Sequence, residues 1–197
     1  MGESPSVLAL FPLNTVLFPG GPLRLRIFET RYVDMVRACL RQQSGFGVLQ
    51  IREGREVGGA VATAAVGTRA RIVDFDAMPD GLLGLVCRGD SRFRLLGRTQ
   101  QADGLNLGQV EWIPEPPAVR LPGEYQSMAG LLRRVLPELG GLYDDVETRF
   151  DDAGWVGMRL AEILPLEQRD KQLLLEVDDP VERLERLAPF LRRADDA

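Results

Sequence analysis

The chain has no histidine among its 197 residues. That absence removes the Ser-His-Asp and Cys-His arrangements of nucleophilic catalysis, histidine-ligated zinc, and the commonest general base near neutral pH. Lysine is almost as scarce, since Lys171 is the one lysine among 24 basic residues. A phosphate-binding loop needs Gly-x-x-x-x-Gly-Lys-Ser/Thr, and Lys171 instead follows Glu167-Gln168-Arg169-Asp170 with no glycine. A lysine-activated serine would have to bring Lys171 to a serine whose nearest example in sequence is Ser127. Two cysteines, Cys39 and Cys87, are too few for a structural zinc site and lack Cys-x-x-Cys spacing. One falls on the apolar face of an expected helix and the other in an expected strand, so both read as buried free thiols.

Long apolar runs are also missing. No stretch approaches the roughly 18 residues that cross a bilayer, and Met1-Gly2-Glu3-Ser4-Pro5 lacks the basic start of a secretory signal. The expected location is the cytoplasm, with no membrane partner. A net charge of −5 gives no general electrostatic drive toward nucleic acid. The hydrophobic fraction of 45% and charged fraction of 27% are those of a globular chain able to bury a core.

What is present divides into two patterns. From about residue 6 to 115, short apolar runs are broken by turn signals, which predicts strands. Val7 to Phe11 is one run, expected to end at Pro12. Leu23, Leu25 and Ile27 alternate with Arg24 and Arg26, predicting a strand that buries one face. One helix interrupts the strands: Tyr32, Met35, Val36, Cys39 and Leu40 recur at helical spacing, with Thr30 as the expected cap and Gly45 as the close. Phe46 to Ile51 predicts another strand, followed by an exposed loop from Glu53 to Gly59. Thr68 to Phe75 and Leu82 to Cys87 predict a hairpin across Pro79-Asp80-Gly81, and Arg92 to Leu96 pairs with Leu105 to Ile113 across Asp103-Gly104. Many strands with a single helix suggest a barrel-like sheet, because closure hides strand edges.

Pro114-Glu115-Pro116-Pro117 cannot continue a ladder of backbone hydrogen bonds, and strand alternation stops there. Helices are expected at Tyr125 to Leu136 ending near Gly140-Gly141, at Tyr143 to Phe150, at Trp155 to Leu164 before Pro165, and at Leu166 to Val177 with Leu173, Leu174 and Val177 inward. Asp179-Pro180-Val181-Glu182 sets out a cap, a first-turn proline and a capping-box glutamate for a last helix that turns Val181, Leu184, Leu187 and Leu191 inward. The expected fold class is α+β: a β-rich, barrel-like lobe with one helix over residues 1–116, then a helical bundle over residues 117–197.

Several segments, in order, resemble one known family. Phe11-Pro12-Leu13-Asn14-Thr15-Val16-Leu17-Phe18-Pro19-Gly20 and the strand after it up to Tyr32 resemble the opening of the amino-terminal, substrate-binding domain of Lon proteases. Val66-Gly67-Thr68-x-Ala70-x-Ile72 and Gly89-x-x-Arg92-Phe93 resemble that domain's hairpin strands. Leu164-Pro165-Leu166, Lys171 to Glu176 and Glu182 to Leu187 look like its closing segment. The likeness spans roughly residues 7 to 192, with residues 117 to 153 matching loosely. It implies a PUA-like barrel followed by a helical bundle, and a stand-alone recognition module without the ATPase and peptidase of Lon.

Individual residues carry two readings each. Glu29 and Arg31 suit an internal ion pair at a strand-to-helix corner better than a ligand-recognising pair. Arg92, beside Phe93, has the same two readings. Asp144-Asp145, Glu147 and Asp151-Asp152 lack a glycine-turned calcium loop and suit helix starts. Trp112 and Trp155 are expected to pack within the fold. Leu17, Phe18, Pro19 and Gly20 form the candidate protein-binding loop: it exposes backbone, and its two apolar side chains could make a surface patch. The competing reading is a rigid turn with Leu17 or Phe18 in the core.

The function expected is therefore non-catalytic recognition of exposed apolar or extended polypeptide, as an adaptor in proteolysis or a quality-control factor. Its partners would be client polypeptides together with a protease or chaperone. No catalytic residue, cofactor or metal is expected. Two alternatives stay open: an RNA-binding PUA-like module using the arginines at 24, 26, 69, 71, 92 and 94, and an enzyme working through carboxylates alone.

Overall fold

A computed structural model describes residues 6–54, 62–78 and 82–195, the side chains as far as residue 191. The expected loop at 53–59 and the hairpin tip at 79–81 lie largely outside the described residues. Among the described residues a seven-stranded, mainly antiparallel sheet combines with five α-helices, and the chain divides into two compact units between Pro114 and Glu115.

In the first unit the strands are β1 (Ser6–Leu13), β2 (Pro22–Ile27), β3 (Phe46–Glu53), the short β4 (Ala62–Thr63), β5 (Val66–Ala77), β6 (Leu83–Gln100) and β7 (Asn106–Trp112). β1 pairs antiparallel with β7 along Ser6 to Leu10, and parallel with β3 along Leu10 to Leu13. With β7–β6, β6–β5 and β5–β3 also paired, five strands form a closed circuit. Pro12, expected to end the first strand, lies inside it. The β7 ladder has stopped at Leu10 by then, so the missing N–H of Pro12 costs no bond on that side. The two runs expected as separate strands, Leu82 to Cys87 and Arg92 to Leu96, are one long strand, β6. It serves β2 with its first half and β7 with its second, changing partner near Gly89.

Two apolar clusters follow from strand alternation. Leu8, Leu10, Leu49, Phe93 and Val110 gather on one face. Its room is small: a Cβ on Gly47 would lie 2.8 Å from Phe93 Cζ, and one on Gly108 the same distance from Leu95 Cδ1. Large side chains facing glycines is how a narrow strand circuit fills its interior. On the other face Phe11, Leu25, Ile27, Phe46, Val48 and Leu85 meet Tyr32, Met35, Val36 and Cys39 of the helix α1 (Thr30–Gln42). α1 begins without a side-chain cap; Glu29, not Thr30, is the capping position. Gln43, at φ 51°, ends it rather than Gly45.

The second unit carries α2 (Gln126–Leu139), α3 (Ala153–Ile163), α4 (Gln168–Glu176) and α5 (Pro180–Asp195), with α3 touching the other three. No helix forms over Tyr143 to Phe150. Val146 is the one buried side chain between Asp144 and Phe150, so a helix there would have no apolar stripe to bury. Of the residues expected to face inward at α4, Leu174 and Val177 are buried as expected, while Leu173 is exposed and Gln172 and Leu175 are buried. Asp179 accepts from the amides of Val181 and Glu182 at 2.8 and 3.1 Å, so the cap reads as expected. Glu182 instead pairs with Arg186 at 2.6 Å.

Two cations, Lys171 half-buried and Arg183 buried, finish helix ends in this unit. Lys171 Nζ donates to the Glu162 carbonyl at 2.6 Å, at the carboxyl end of α3. Arg183, almost fully buried, donates from Nε to the Leu174 carbonyl at 3.0 Å and from Nη2 to that of Val177. These are carbonyls that the end of α4 leaves without helical partners. Arg183→Met keeps the bulk and removes the donors, leaving two buried acceptors unsatisfied. Urea unfolding should report a loss of about 2–4 kcal/mol; a change near zero would remove Arg183 from the account of this unit.

Candidate functional site

The loop singled out by sequence is a clasp rather than an open patch. Gly21 donates its amide to the Phe18 carbonyl at 2.9 Å, Pro19 occupies the first corner and Gly20 has φ 72°, the pattern of a type II turn. The turn is then tied to β6: the Gly20 amide reaches the Gly89 carbonyl at 2.9 Å, and the Gly89 amide returns to Gly21 at 2.8 Å. Thr68 Oγ1 donates to the Leu17 carbonyl at 2.6 Å, and Arg88 Nη1 to that of Gly20 at 3.5 Å. Leu17 is 4% exposed and Phe18 is 0% exposed. The surface patch expected of these two side chains is therefore absent. Both belong to the interior, because the turn's backbone is drawn down onto β6. Pro19 and Gly20 do reach solvent.

The other singled-out residues also have structural partners. Glu29 and Arg31 form an ion pair at 2.7 Å, and Arg31 also donates to the Gly104 carbonyl at 2.9 Å, joining the β2–α1 corner to the β6–β7 turn. Arg92 is fully buried. Asp152 accepts from the Gly154 amide at 2.9 Å and caps α3, while Glu147 pairs with Arg149 at 2.9 Å. Among the described residues no cluster of histidine, cysteine and carboxylates could hold a metal ion. Trp112 donates to Ser6 Oγ at 3.2 Å and lies under the Arg69 guanidinium, and Trp155 stacks edgewise on Phe150.

The six arginines do not make a uniform basic face. Arg69 pairs with Asp90, Arg92 is inside, Arg94 lies opposite Glu111, and Arg71 alone lies opposite another cation, Arg88. The cross-strand rows through Arg24 and Arg26 end on Asp74 and Asp76. Cys39 and Cys87 are free and buried. Burial pushes the Cys87 thiol up to about 12, with the neighbouring Cys39 adding to the shift. A thiolate nucleophile is thus suppressed at that position.

Of the uncovered apolar side chains, three lie on or beside the β2–β6–β5 ribbon. Val73 and Phe75 of β5 are 43% and 56% exposed, and Phe28 follows β2 with its ring in solvent. Their signal was present in the alternation from Arg71 to Ala77, but alternation does not say which face a helix will cover.

Gly89 tests the clasp directly. A Cβ there would collide with the Phe18 carbonyl oxygen, so Gly89→Ala must push the turn off β6. The expected loss is about 1–3 kcal/mol by thermal or urea unfolding; unchanged stability would mean the turn is not held as described.

Comparison with known proteins places this fold. The family model described as the ATP-dependent protease La (LON) substrate-binding domain matches residues 7–193. Lon protease 2 of Myxococcus xanthus is 29% identical over 198 residues, and Lon protease of Anaeromyxobacter dehalogenans 26% over 199. Each alignment covers 97% of this chain but 24% of the relative, so the chain spans about a quarter of their length. Among solved structures, the Lon N-terminal domain protein from Xanthomonas campestris is 42% identical, with a TM-score of 0.78 over 93% of this chain and 98% of that one. The N-terminal domain of a Mycobacterium avium complex Lon protease, 19% identical, shares the fold at a TM-score of 0.68 over 93% and 97%. With its closed strand circuit, its clasped Pro-Gly turn and a match from residue 7 to 193, the chain belongs to the family of Lon substrate-binding domains.

Proposed function

We propose that this chain is a non-catalytic recognition module that binds exposed apolar or extended segments of client polypeptides in the cytoplasm and presents them for proteolysis or quality control. The observation that carries the reading is the match of residues 7–193 to a substrate-binding domain. In this reading the two units are the two lobes of that domain: a PUA-like barrel and a helical bundle. Their partners are client chains and a protease or chaperone that acts on them.

The side-chain chemistry supports binding over catalysis. Lys171, the residue a serine-lysine mechanism would require, donates to the carbonyl of Glu162. The arginines are interleaved with carboxylates, as in the rows ending on Asp74 and Asp76, which offers a polyphosphate no continuous cationic track.

Fluorescence anisotropy with labelled lactalbumin tests the reading, comparing the native protein with its reduced, carboxymethylated form. The unfolded form should bind and remain intact on a gel after prolonged incubation, and the native form should bind at least about ten-fold more weakly. Equal affinity for both forms, or none for either, would contradict the proposal; cleavage would contradict its non-catalytic part.

A further inference from the structure

The first half of β6 makes a three-stranded ribbon with β2 and β5 that projects past the closed circuit. β3 pairs with β5 only as far as Ala70, so from Arg71 to Ala77 no strand, among the described residues, lies on the side of β5 away from β6. β2 likewise pairs with β6 alone. The ribbon therefore has two rims, and they differ in what they expose. On the β2 rim the apolar side chains Leu25 and Ile27 are already buried, and Pro22 has no amide to donate. On the β5 rim Ile72 packs against the core, but Val73 and Phe75 stay in solvent.

Register makes the contrast specific. Leu25, Leu85 and Phe75 lie in one cross-strand row, and their exposure runs from buried at Leu25 and Leu85 to 56% at Phe75. The apolar row continues from the core to the rim and stops there. The opposite face carries a second pattern: Arg24, Val86 and Asp74 form one row, and Arg26, Gly84 and Asp76 the next. Each runs from a cation through a neutral residue to a carboxylate. The Phe75 amide donates to the adjacent, exposed carboxylate of Asp74 at 2.9 Å. An incoming carbonyl can replace that local bond.

We propose that the β5 rim from Arg71 to Ala77 is a strand-addition site for an extended polypeptide segment in which apolar residues alternate with lysine or arginine. Such a segment adds backbone hydrogen bonds to β5, lays its apolar side chains beside Phe75, and sets its cations opposite Asp74 and Asp76. Charge opposes a second copy as occupant in the register centred on Phe75. A second copy pairing antiparallel about Phe75 would place Asp74 against Asp76 twice over, like charges directly opposite on one face. The bulge that leaves Val73 without a partner on β6 increases the local twist, which also disfavours a flat edge-to-edge stack of copies. The proposal rests on the polypeptide-binding reading above and assigns it a surface and a sequence preference.

The test measures anisotropy of a fluorescein-labelled peptide of alternating lysine and valine against the full chain, beside a glutamate-valine peptide and a lysine-valine peptide N-methylated at alternate residues. The lysine-valine peptide should bind, and the N-methylated one should lose at least about ten-fold in affinity, because it retains side chains but not the ladder. The double variant Asp74→Lys, Asp76→Lys, with circular dichroism unchanged, should bind the lysine-valine peptide at least about ten-fold more weakly and the glutamate-valine peptide more tightly. Phe75→Ala should weaken both. Equal binding of the N-methylated peptide, or no response to charge reversal, overturns the proposal. If the double variant and Phe75→Ala still bind unfolded lactalbumin as the unaltered chain does, the rim is not the site and the general reading survives. No peptide binding combined with no lactalbumin binding by the unaltered chain overturns both.

Discussion

The double pairing of β1 is the constraint on which the first unit depends. One strand gives its first residues to β7 in antiparallel register and its last to β3 in parallel, and this closes five strands into a circuit. Closure consumes the edges that an open sheet would leave exposed. It also fixes how little room the interior has, which is why glycines at 47 and 108 face Phe93, Leu95 and Leu10. Everything else in the unit is arranged around that ring. α1 covers the face carrying Phe11, Phe46 and Val48, and the Pro19-Gly20 turn hooks the chain between β1 and β2 onto β6 at Gly89. β6 is long enough to serve the ring with one half and the projecting ribbon with the other.

A ring without edges cannot recruit an extended chain through its backbone, so the proposed recognition is assigned to the ribbon. Within β2, Leu25 and Ile27 are spent on the core, whereas Val73 and Phe75 on the β5 rim stay exposed. The same physical effect, burial of alternate residues, thus explains both the stability of one rim and the availability of the other. The clasped turn contributes by rigidity. With Leu17 and Phe18 inside, it holds β2 in register against β6 and so sets the rows that end at Phe75, Asp74 and Asp76. In the second unit two cations do a comparable positioning job, with buried Arg183 finishing α4 and half-buried Lys171 finishing α3.

Local chemistry was legible in the residues, and nonlocal pairing was not. The alternation of Leu23, Leu25 and Ile27 announced β2, Asp103-Gly104 announced the turn into β7, and Asp179-Pro180 announced the start of α5, because each signal is complete within a few residues. The parallel contact between β1 and β3 has no such local signal, and it is what admits Pro12 into a strand. The fate of Leu17 and Phe18 was equally hidden. An apolar pair before Pro-Gly looks the same whether the turn faces water or is drawn down by the Gly89 backbone 70 residues away. Tyr143 to Phe150 misled for the opposite reason: its composition suits a helix, but it offers one buried side chain and no stripe. The ordered motifs identified the family despite these local errors, since their sequence of appearance does not depend on any one contact.

The central claim is that a closed ring leaves one rim of its ribbon open for an added strand. Native-state hydrogen exchange, resolved residue by residue, measures this directly. The account predicts that amides of β1 and β3 within the ring, such as those of Leu10 and Leu49, exchange only with global unfolding. The amide of Phe75 should exchange readily in the free chain and slow when the lysine-valine peptide is added. Strong protection of Phe75 in the free chain, or peptide-induced protection confined to Leu17 through Gly21, would contradict it.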